Sequence, residues 1–206
     1  MDRNFEAGAS EHHVQLFDSS KSMVDTVAAF LLSGFERRQP ILVVATGQHR
    51  ELLSRRLESN GINVHDAKLC NRLVMLDAAA TLDLFMRQDT PNPVAFDEVI
   101  GTIVARLSAG RRVRIYGEMV DVLAARGCYK AAHKLEELWN AFGHRESLDL
   151  FCGYASGHFG DPKTAKLLGA ICAAHSQVHR KAGDLLAEFL LEQPDVKSAR
   201  GAASLS

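Results

Sequence analysis

The feature of this sequence that most constrains its fold is the alternation of short apolar runs with longer segments of helical periodicity. The run Ile41–Ala45 is apolar at every position, which is typical of a strand covered on both faces. Four similar runs lie at 13–17, 73–76, 113–116 and 148–152, and a helical pattern follows each of them. Alternation repeated five times predicts an α/β domain with a mostly parallel sheet flanked by helices.

The predicted helices follow from apolar spacing and from residues that begin or end helices. Residues 18–20 offer side-chain oxygens before a first helix at 21–38, and Pro40 follows it. Further helices are predicted at 47–57, 79–86, 96–107, 119–125 and 129–142, with the proline-rich residues 91–93 as a breaker. Pro162 begins a last helical pattern that continues to about residue 191.

Charge and composition exclude several classes of protein. Lys and Arg number 24 against 25 Asp and Glu, so we expect no direct nucleic-acid partner. The arginines at 111, 112 and 114 are expected to lie solvated at an edge. No run approaches the ~20 apolar residues of a membrane span, and no apolar signal peptide follows the polar N-terminus. The four cysteines form no CxxC pair and are expected to be buried free thiols, which predicts a cytoplasmic protein.

The carboxyl ends of the parallel strands mark the predicted ligand site. In open sheets of this kind, ligands bind where the carboxyl ends of strands meet the amino ends of helices. We assign the site to the residues at those ends, namely Asp18, Ser19, Lys21, Ser22, Thr46, Gly117, Glu118, Tyr154 and His158. For His158 an ordinary role as an exposed loop residue stays open.

Six segments, taken together, resemble one known family. They are HHVQLFDSSKSM at 12–23, ILVVATGQHRELL at 41–53, RVRIYGEMVDVLAARG at 112–127, KLEELWNAF at 134–142, LDLFCGY at 148–154 and ICAAHSQV at 171–178. In this order they resemble the MEDS domain, a sensory domain named from methanogen and methylotroph proteins that include a dichloromethane-responsive repressor. The resemblance covers 12–180, leaving 1–11 as a flexible N-terminus, 181–193 as a C-terminal helix and 194–206 as a flexible tail.

The resemblance implies a degenerate relative of the RecA/KaiC-type P-loop ATPases that senses small ligands. A working P-loop needs GxxxxGK[ST], because its glycines let backbone amides wrap the phosphates. The corresponding residues 16–22 retain Lys21 and Ser22 but neither glycine, and the Asp18 carboxylate would repel a phosphate. Asp18 and Ser19 either cap the first helix or, together with Lys21, receive an anionic or polar ligand at its amino end.

The resemblance also places Glu118 where a KaiC-like ATPase carries its magnesium-associated acidic residue. Glu118 would hold a cation, accept from a ligand donor, or cap the helix that begins at Met119. Residues 46–48 are Thr-Gly-Gln, so they lack the acidic residue that would activate a hydrolytic water. We therefore expect no hydrolysis, and the protein is predicted not to be an enzyme.

Metal, cofactor and nucleophile patterns are weak. His175 and His179 lie four residues apart without forming HExxH, and His12 and His13 precede the first strand without a partner cluster, so no metal or cofactor is expected. Cys152 near the end of an apolar strand and Trp139 within an amphipathic helix are both expected to be packed.

The sequence therefore predicts a non-catalytic sensory or regulatory domain that binds a small ligand or a signalling protein. A divergent ATPase that retains nucleotide binding and a ligand-free adaptor are the alternatives. Members of the family usually carry an output module, yet only about ten residues precede the resemblance and about twenty-five follow it. We therefore expect output in trans, through a regulatory partner such as a kinase or a transcription factor. The predicted C-terminal helix carries an apolar stripe that consists of Leu185, Leu186, Phe189 and Leu190. This stripe would dock that partner or a second copy of the chain, or it would pack on the protein's own core.

Overall fold

The computed structural model describes residues 11–159 together with Thr164, Gly169 and the pair 177–178. Its strands are β1 (Glu11–Phe17), β2 (Ile41–Ala45), β3 (Leu73–Asp77), β4 (Met86–Arg87), β5 (Thr90–Pro91), β6 (Val113–Gly117), β7 (Leu148–Ala155) and β8 (Gln177–Val178). The main sheet has the order β3-β2-β6-β7-β1-β8, and each of its pairings is parallel. The predicted α/β class and parallel sheet are confirmed.

Helices alternate with these strands. They are α1 (Ser20–Glu36), α2 (Gly47–Ser59), α3 (Val64–Leu69), α4 (Ala78–Phe85), α5 (Pro93–Phe96), α6 (Thr102–Ser108), α7 (Met119–Ala125) and α8 (Tyr129–Arg145). A π-helical turn, Asp97–Gly101, joins α5 to α6, and a 3₁₀ turn, Ser156–Phe159, follows β7. None of the described helices is both long and apolar enough to cross a membrane.

Besides β8, which is a strand where the last helical pattern was predicted, two elements were absent from the sequence prediction. The short helix α3 is capped by Asn63, whose side chain accepts from the Asp66 amide at 3.0 Å. The antiparallel β4–β5 hairpin occupies the end of a predicted helix, and the breaker at 91–93 is where the next helix starts, since Asn92 accepts from the Ala95 amide at 3.0 Å. Asparagine caps therefore begin α3 and α5, because the side-chain oxygen replaces a missing backbone partner at a helix start.

The sheet separates two apolar cores, because successive strand residues point to opposite faces. Leu42 and Ile115 pack on the face that carries α4 to α8, together with Trp139, whose burial confirms its expected packing. Val43 packs on the other face, beneath α1, α2 and α3. Both faces are covered, which explains why β2 is apolar at every position.

The expectations for the cysteines and for the arginines are confirmed only in part. Cys152 is buried as expected, and the described cysteines are free thiols. The prediction that all cysteines are buried is wrong for Cys70, which lies exposed at the end of α3, and for Cys128, which is only half-buried. The prediction of solvated arginines is wrong for Arg114, which is 0% exposed because its guanidinium contacts Asp149 inside the fold.

Several predictions lie outside the described residues. They concern the flexible N-terminus up to residue 10, the helix beginning at Pro162, the histidines at 175 and 179, the C-terminal helix with Leu185, Leu186, Phe189 and Leu190, and the tail at 194–206. Glu11, assigned to the flexible N-terminus, is the first residue of β1.

Candidate functional site

A cavity of about 260 Å³ opens where β1, β6 and β7 end and α1 begins. It is lined by Phe17, Asp18, Ser19, Ser20, Met23, His49, Tyr116, Glu118, Asp121, Gly153, Tyr154 and Ala155. The lining combines three carboxylates and a histidine with aromatic rings, and it lies at the strand edge where ligands of open α/β sheets bind.

Glu118 is the buried acid of this cavity, with an exposure of 2%. It follows β6 directly, and its backbone amide donates to the Val44 carbonyl at 2.8 Å, so the main chain fixes its place beside β2. Its carboxylate accepts from the Thr46 amide and the Tyr116 hydroxyl, both at 2.9 Å. Glu118 occupies the N-cap position of α7, but its side chain makes no capping bond, so its carboxylate is held by the other three donors.

His49 connects Glu118 to the start of α1. A carboxylate can only accept, so His49 donates through Nδ1 to Glu118 Oε1 at 2.7 Å. Its Nε2 lies 3.1 Å from Ser20 Oγ. The bond to Glu118 raises the pKa of His49 above its ordinary 6.5, although burial acts in the opposite direction. Chemically, this Ser–His–Glu chain can pass a proton or present a charged imidazole to a ligand.

Asp121 is a second acid at the cavity, on the first turn of α7. Its Oδ1 accepts from the Ala155 amide at 2.8 Å and lies 3.2 Å from His158 Nε2. Burial is the largest cause that raises the pKa of Asp121, and the neighbouring Glu118 charge acts in the same direction. The Tyr129 hydroxyl donates to the His158 carbonyl at 2.8 Å, so the 3₁₀ turn after β7 is held from two sides.

The connection from β1 to α1 is very short. β1 ends at Phe17 and α1 begins at Ser20, which leaves two residues where a P-loop would have a long glycine-rich turn. Ser19 caps α1 by accepting from the Ser22 amide at 3.2 Å. Asp18 instead accepts from the Ser156 hydroxyl at 2.8 Å and so links this turn to the one after β7.

The structure brings only part of the predicted site residues to the cavity. Asp18, Ser19, Glu118 and Tyr154 line it. Thr46 contacts the acid Glu118 of the cavity, and His158 contacts the acid Asp121. Lys21, Ser22 and Gly117 are not among the lining residues. Lys21 is exposed and faces a groove between α1 and α2.

Sequence reasoning missed two of the central residues, His49 and Asp121. Both lie in the first turn of a helix that directly follows a strand, three residues beyond the assigned Thr46 and Glu118. Such residues lie at the same sheet edge as the strand ends themselves. Extending the assignment by one helical turn would have included both.

A second polar cluster lies inside the fold, on the face of the sheet covered by α8. His12, Glu136 and Cys152 bring three potential metal-ligand atoms within 4.8 Å of one another. The expectation that His12 has no partner cluster is therefore wrong, because the fold joins residues that are more than a hundred positions apart in the sequence.

Comparison with protein families gives one result. The family model described as MEDS, "MEthanogen/methylotroph, DcmR Sensory domain", matches residues 11–175, which is most of the chain. No curated protein matches the sequence at a significant level.

Proposed function

Because the chain belongs to the MEDS family of sensory domains, we propose that it is a non-catalytic sensor of a small polar ligand. The ligand binds in the cavity at the strand carboxyl ends, and its occupancy is passed to a regulatory partner such as a kinase or a transcription factor. The observation that supports this most is the buried Glu118 carboxylate, held by the Thr46 amide, His49 and Tyr116 at the wall of the cavity.

The size and charge of the cavity favour a particular kind of ligand. Its volume of about 260 Å³ is below the ~300–1,000 Å³ typical of sites for drug-sized molecules. Glu118, Asp121 and Asp18 contribute acceptors, and His49 contributes the cationic group. A small neutral or cationic molecule with hydrogen-bond donors fits this lining better than a polyanion, because each buried donor or acceptor needs a partner.

The same features weaken the alternative of a divergent ATPase. A triphosphate needs a cradle of backbone amides, and the β1–α1 connection has two residues without glycine. Lys21 is exposed in a different groove, away from Glu118. The adaptor alternative supposes a pocket filled by its own side chains, which the cavity volume does not favour.

The signal would leave through the turn that follows β7. Asp121 lines the cavity and also holds the Ala155 amide and His158, while Asp18 holds Ser156. A ligand donor that engages Asp121 or Asp18 competes with these bonds. It would therefore change the relative stability of two arrangements of residues 155–159, which is how a ligand shifts a conformational equilibrium.

The test is a thermal-shift screen of the full chain with a panel of small amines, amides and alcohols, guided by native mass spectrometry of protein isolated from its own cells. We expect a compound that raises the melting temperature of the wild type and not that of Glu118→Gln. The matched control is Glu137→Gln on the solvent-facing side of α8, which should keep the full shift. Equal shifts in both variants would contradict a site at Glu118.

Nucleotide binding is tested separately with ATP and Mg²⁺. The proposal expects no shift at millimolar nucleotide. A substantial shift that disappears in Lys21→Ala would show nucleotide binding through Lys21 and would favour the alternative of a divergent ATPase over the sensor. Hydrogen exchange of residues 155–159 with a confirmed ligand then tests the signalling step, and unchanged exchange would overturn it.

A further inference from the structure

The polar cluster of His12, Glu136 and Cys152 joins three elements in the interior of the domain. His12 lies on β1, Cys152 on the neighbouring parallel strand β7, and Glu136 on α8. Their side chains are almost fully buried, with residue exposures of 7%, 0% and 0% for His12, Glu136 and Cys152. Imidazole, carboxylate and thiol are the side chains that ligate zinc in proteins.

The three candidate donor atoms form a nearly equilateral triangle. His12 Nε2 lies 3.3 Å from Cys152 Sγ and 3.3 Å from Glu136 Oε2, and Sγ lies 3.4 Å from Oε2. Zinc–ligand bonds of ~2.0–2.3 Å at tetrahedral angles place neighbouring ligand atoms roughly 3.3–3.7 Å apart. The triangle therefore has the dimensions of one face of a zinc coordination tetrahedron.

The atoms around the triangle orient its donors. His12 Nδ1 lies 2.7 Å from Asn140 Oδ1, an acceptor that keeps the ring proton on Nδ1 and leaves the Nε2 lone pair toward Cys152 and Glu136. The Tyr154 hydroxyl donates to Glu136 Oε1 at 2.8 Å, so Oε2 is the oxygen that faces the other two donors. Such outer contacts are what fix the tautomer of a ligating histidine and the orientation of a ligating carboxylate.

We propose that His12, Glu136 and Cys152 bind a divalent zinc ion that fastens β1, β7 and α8 together. The mixed nitrogen, oxygen and sulfur donor set selects zinc over Mg²⁺ or Ca²⁺, which require oxygen ligands. Cys152 binds as the thiolate, and its proton passes to the solvent buffer when the metal enters. The fourth coordination position belongs to a water or a further donor. This proposal does not rest on the proposed ligand site, although Tyr154 touches both.

The experiment uses the full chain with Cys70, Cys128 and Cys172 replaced by serine, so that Cys152 is the only thiol left in the sequence. The protein is refolded with Zn²⁺ or with Co²⁺, dialysed, and examined by elemental analysis and absorption spectroscopy. We expect about one metal ion per chain, and a thiolate-to-cobalt charge-transfer band that can arise only from Cys152.

Two single variants then test the ligands. In the same background, His12→Gln and Cys152→Ser should each weaken metal binding by at least ~100-fold, and Cys152→Ser should abolish the charge-transfer band. The exposed His133→Gln serves as the matched histidine control and should retain both. Chelation should lower the melting temperature of the parent and leave that of Cys152→Ser unchanged.

The parent protein decides the outcome even if a variant fails to fold. A folded parent that retains no zinc, or that binds Co²⁺ without a thiolate band, overturns the proposal and makes the cluster a hydrogen-bond network. A thiolate band that survives His12→Gln at full affinity would remove His12 from the site and equally overturn it.

Discussion

The amino ends and the carboxyl ends of the central strands, here called the amino edge and the carboxyl edge of the sheet, both bury charged side chains. The two edges differ in the partners that surround those charges. At the amino edge, the Arg114 guanidinium lies 4.6 Å from the centre of the Phe30 ring, donates to the Phe30 carbonyl at 2.8 Å and approaches Asp149 at 3.4 Å. The Asp149 carboxylate also accepts from the Arg112 guanidinium at 2.7 Å and from the Gln39 side-chain amide at 3.0 Å. Asp149 thus lies against two guanidinium groups, so opposite charges are in direct contact there.

At the carboxyl edge, the buried Glu118 is held mainly by neutral donors and by His49, beside a cavity. Each of the two carboxylates has three hydrogen-bonding partners, but those of Glu118 are an amide, a hydroxyl and an imidazole beside a cavity, whereas Asp149 faces two guanidinium groups. The comparison teaches that a buried charge is not by itself a sign of function. The amino edge pairs its charges across β6 and β7, whereas in the function we propose the carboxyl edge presents its charges to a ligand.

The largest expected effect comes from removing the central cation of the amino edge. Arg114→Met should lower the free energy of unfolding by about 3–5 kcal/mol, because it leaves a buried Asp149 with one cation fewer. Urea unfolding followed by circular dichroism measures the change. Arg112→Gln is the control and should cost less, since the Arg112 side chain is 24% exposed. A loss below ~1 kcal/mol for Arg114→Met would show that the two edges do not differ as argued.

The next effect concerns close packing at the carboxyl edge. A Cβ added at Gly153 would lie 2.8 Å from the Tyr116 hydroxyl and 3.1 Å from Phe17 Cε2. Gly153→Ala should therefore displace the buried Tyr116 from Glu118 and cost roughly 1–3 kcal/mol in unfolding free energy. Gly117→Ala is the matched control, because a Cβ there meets nothing within 4 Å. Equal costs for the two variants, measured by urea unfolding, would contradict the proposed role of Tyr116.

A smaller effect should appear in the pH dependence of stability. The pKa of His49 is raised above 6.5 in the folded state by its bond to Glu118, so the stabilisation is fully present below pH 6.5 and is lost as pH rises through the folded pKa. Unfolding free energies measured from pH 6 upward should fall in the wild type. The fall should be shallower in Glu118→Gln.

Asp121 contributes a fall in the same direction. Its raised pKa makes stability fall as pH rises from its ordinary value of 3.8 through the raised value, and Glu118→Gln removes a charge that raises it, so the comparison is repeated with Asp121→Asn. An identical slope above pH 6.5 in the wild type and Glu118→Gln would show that the His49–Glu118 bond does not couple to folding.

The sequence was enough to predict the sheet because short apolar runs such as β2, each followed by a helical pattern, are typical of buried parallel strands, and the predicted site edge follows from parallel pairing. It could not show that Arg114 turns inward, since the partner Asp149 is a neighbour only through the β6–β7 register. It could not show the cluster of His12 and Cys152 for the same reason, because β1 and β7 pair only in the folded chain. Contacts within one helix or turn are readable from the sequence, whereas contacts across strands need the strand order.

The smallest expected effect on stability lies at the rim of the cavity. Asp18 is exposed, and its bond with the Ser156 hydroxyl at 2.8 Å is open to solvent, so water can replace either partner. Asp18→Ala should therefore change the free energy of unfolding by no more than ~0.5 kcal/mol. The same substitution removes the link between the β1–α1 turn and the turn after β7, so hydrogen exchange of residues 155–159 should become faster. Ser156→Ala removes the other partner of that bond and should reproduce the change. If either variant left this exchange unchanged, the rim bond would have no part in holding the turn, and Asp121 alone would have to connect the cavity to it.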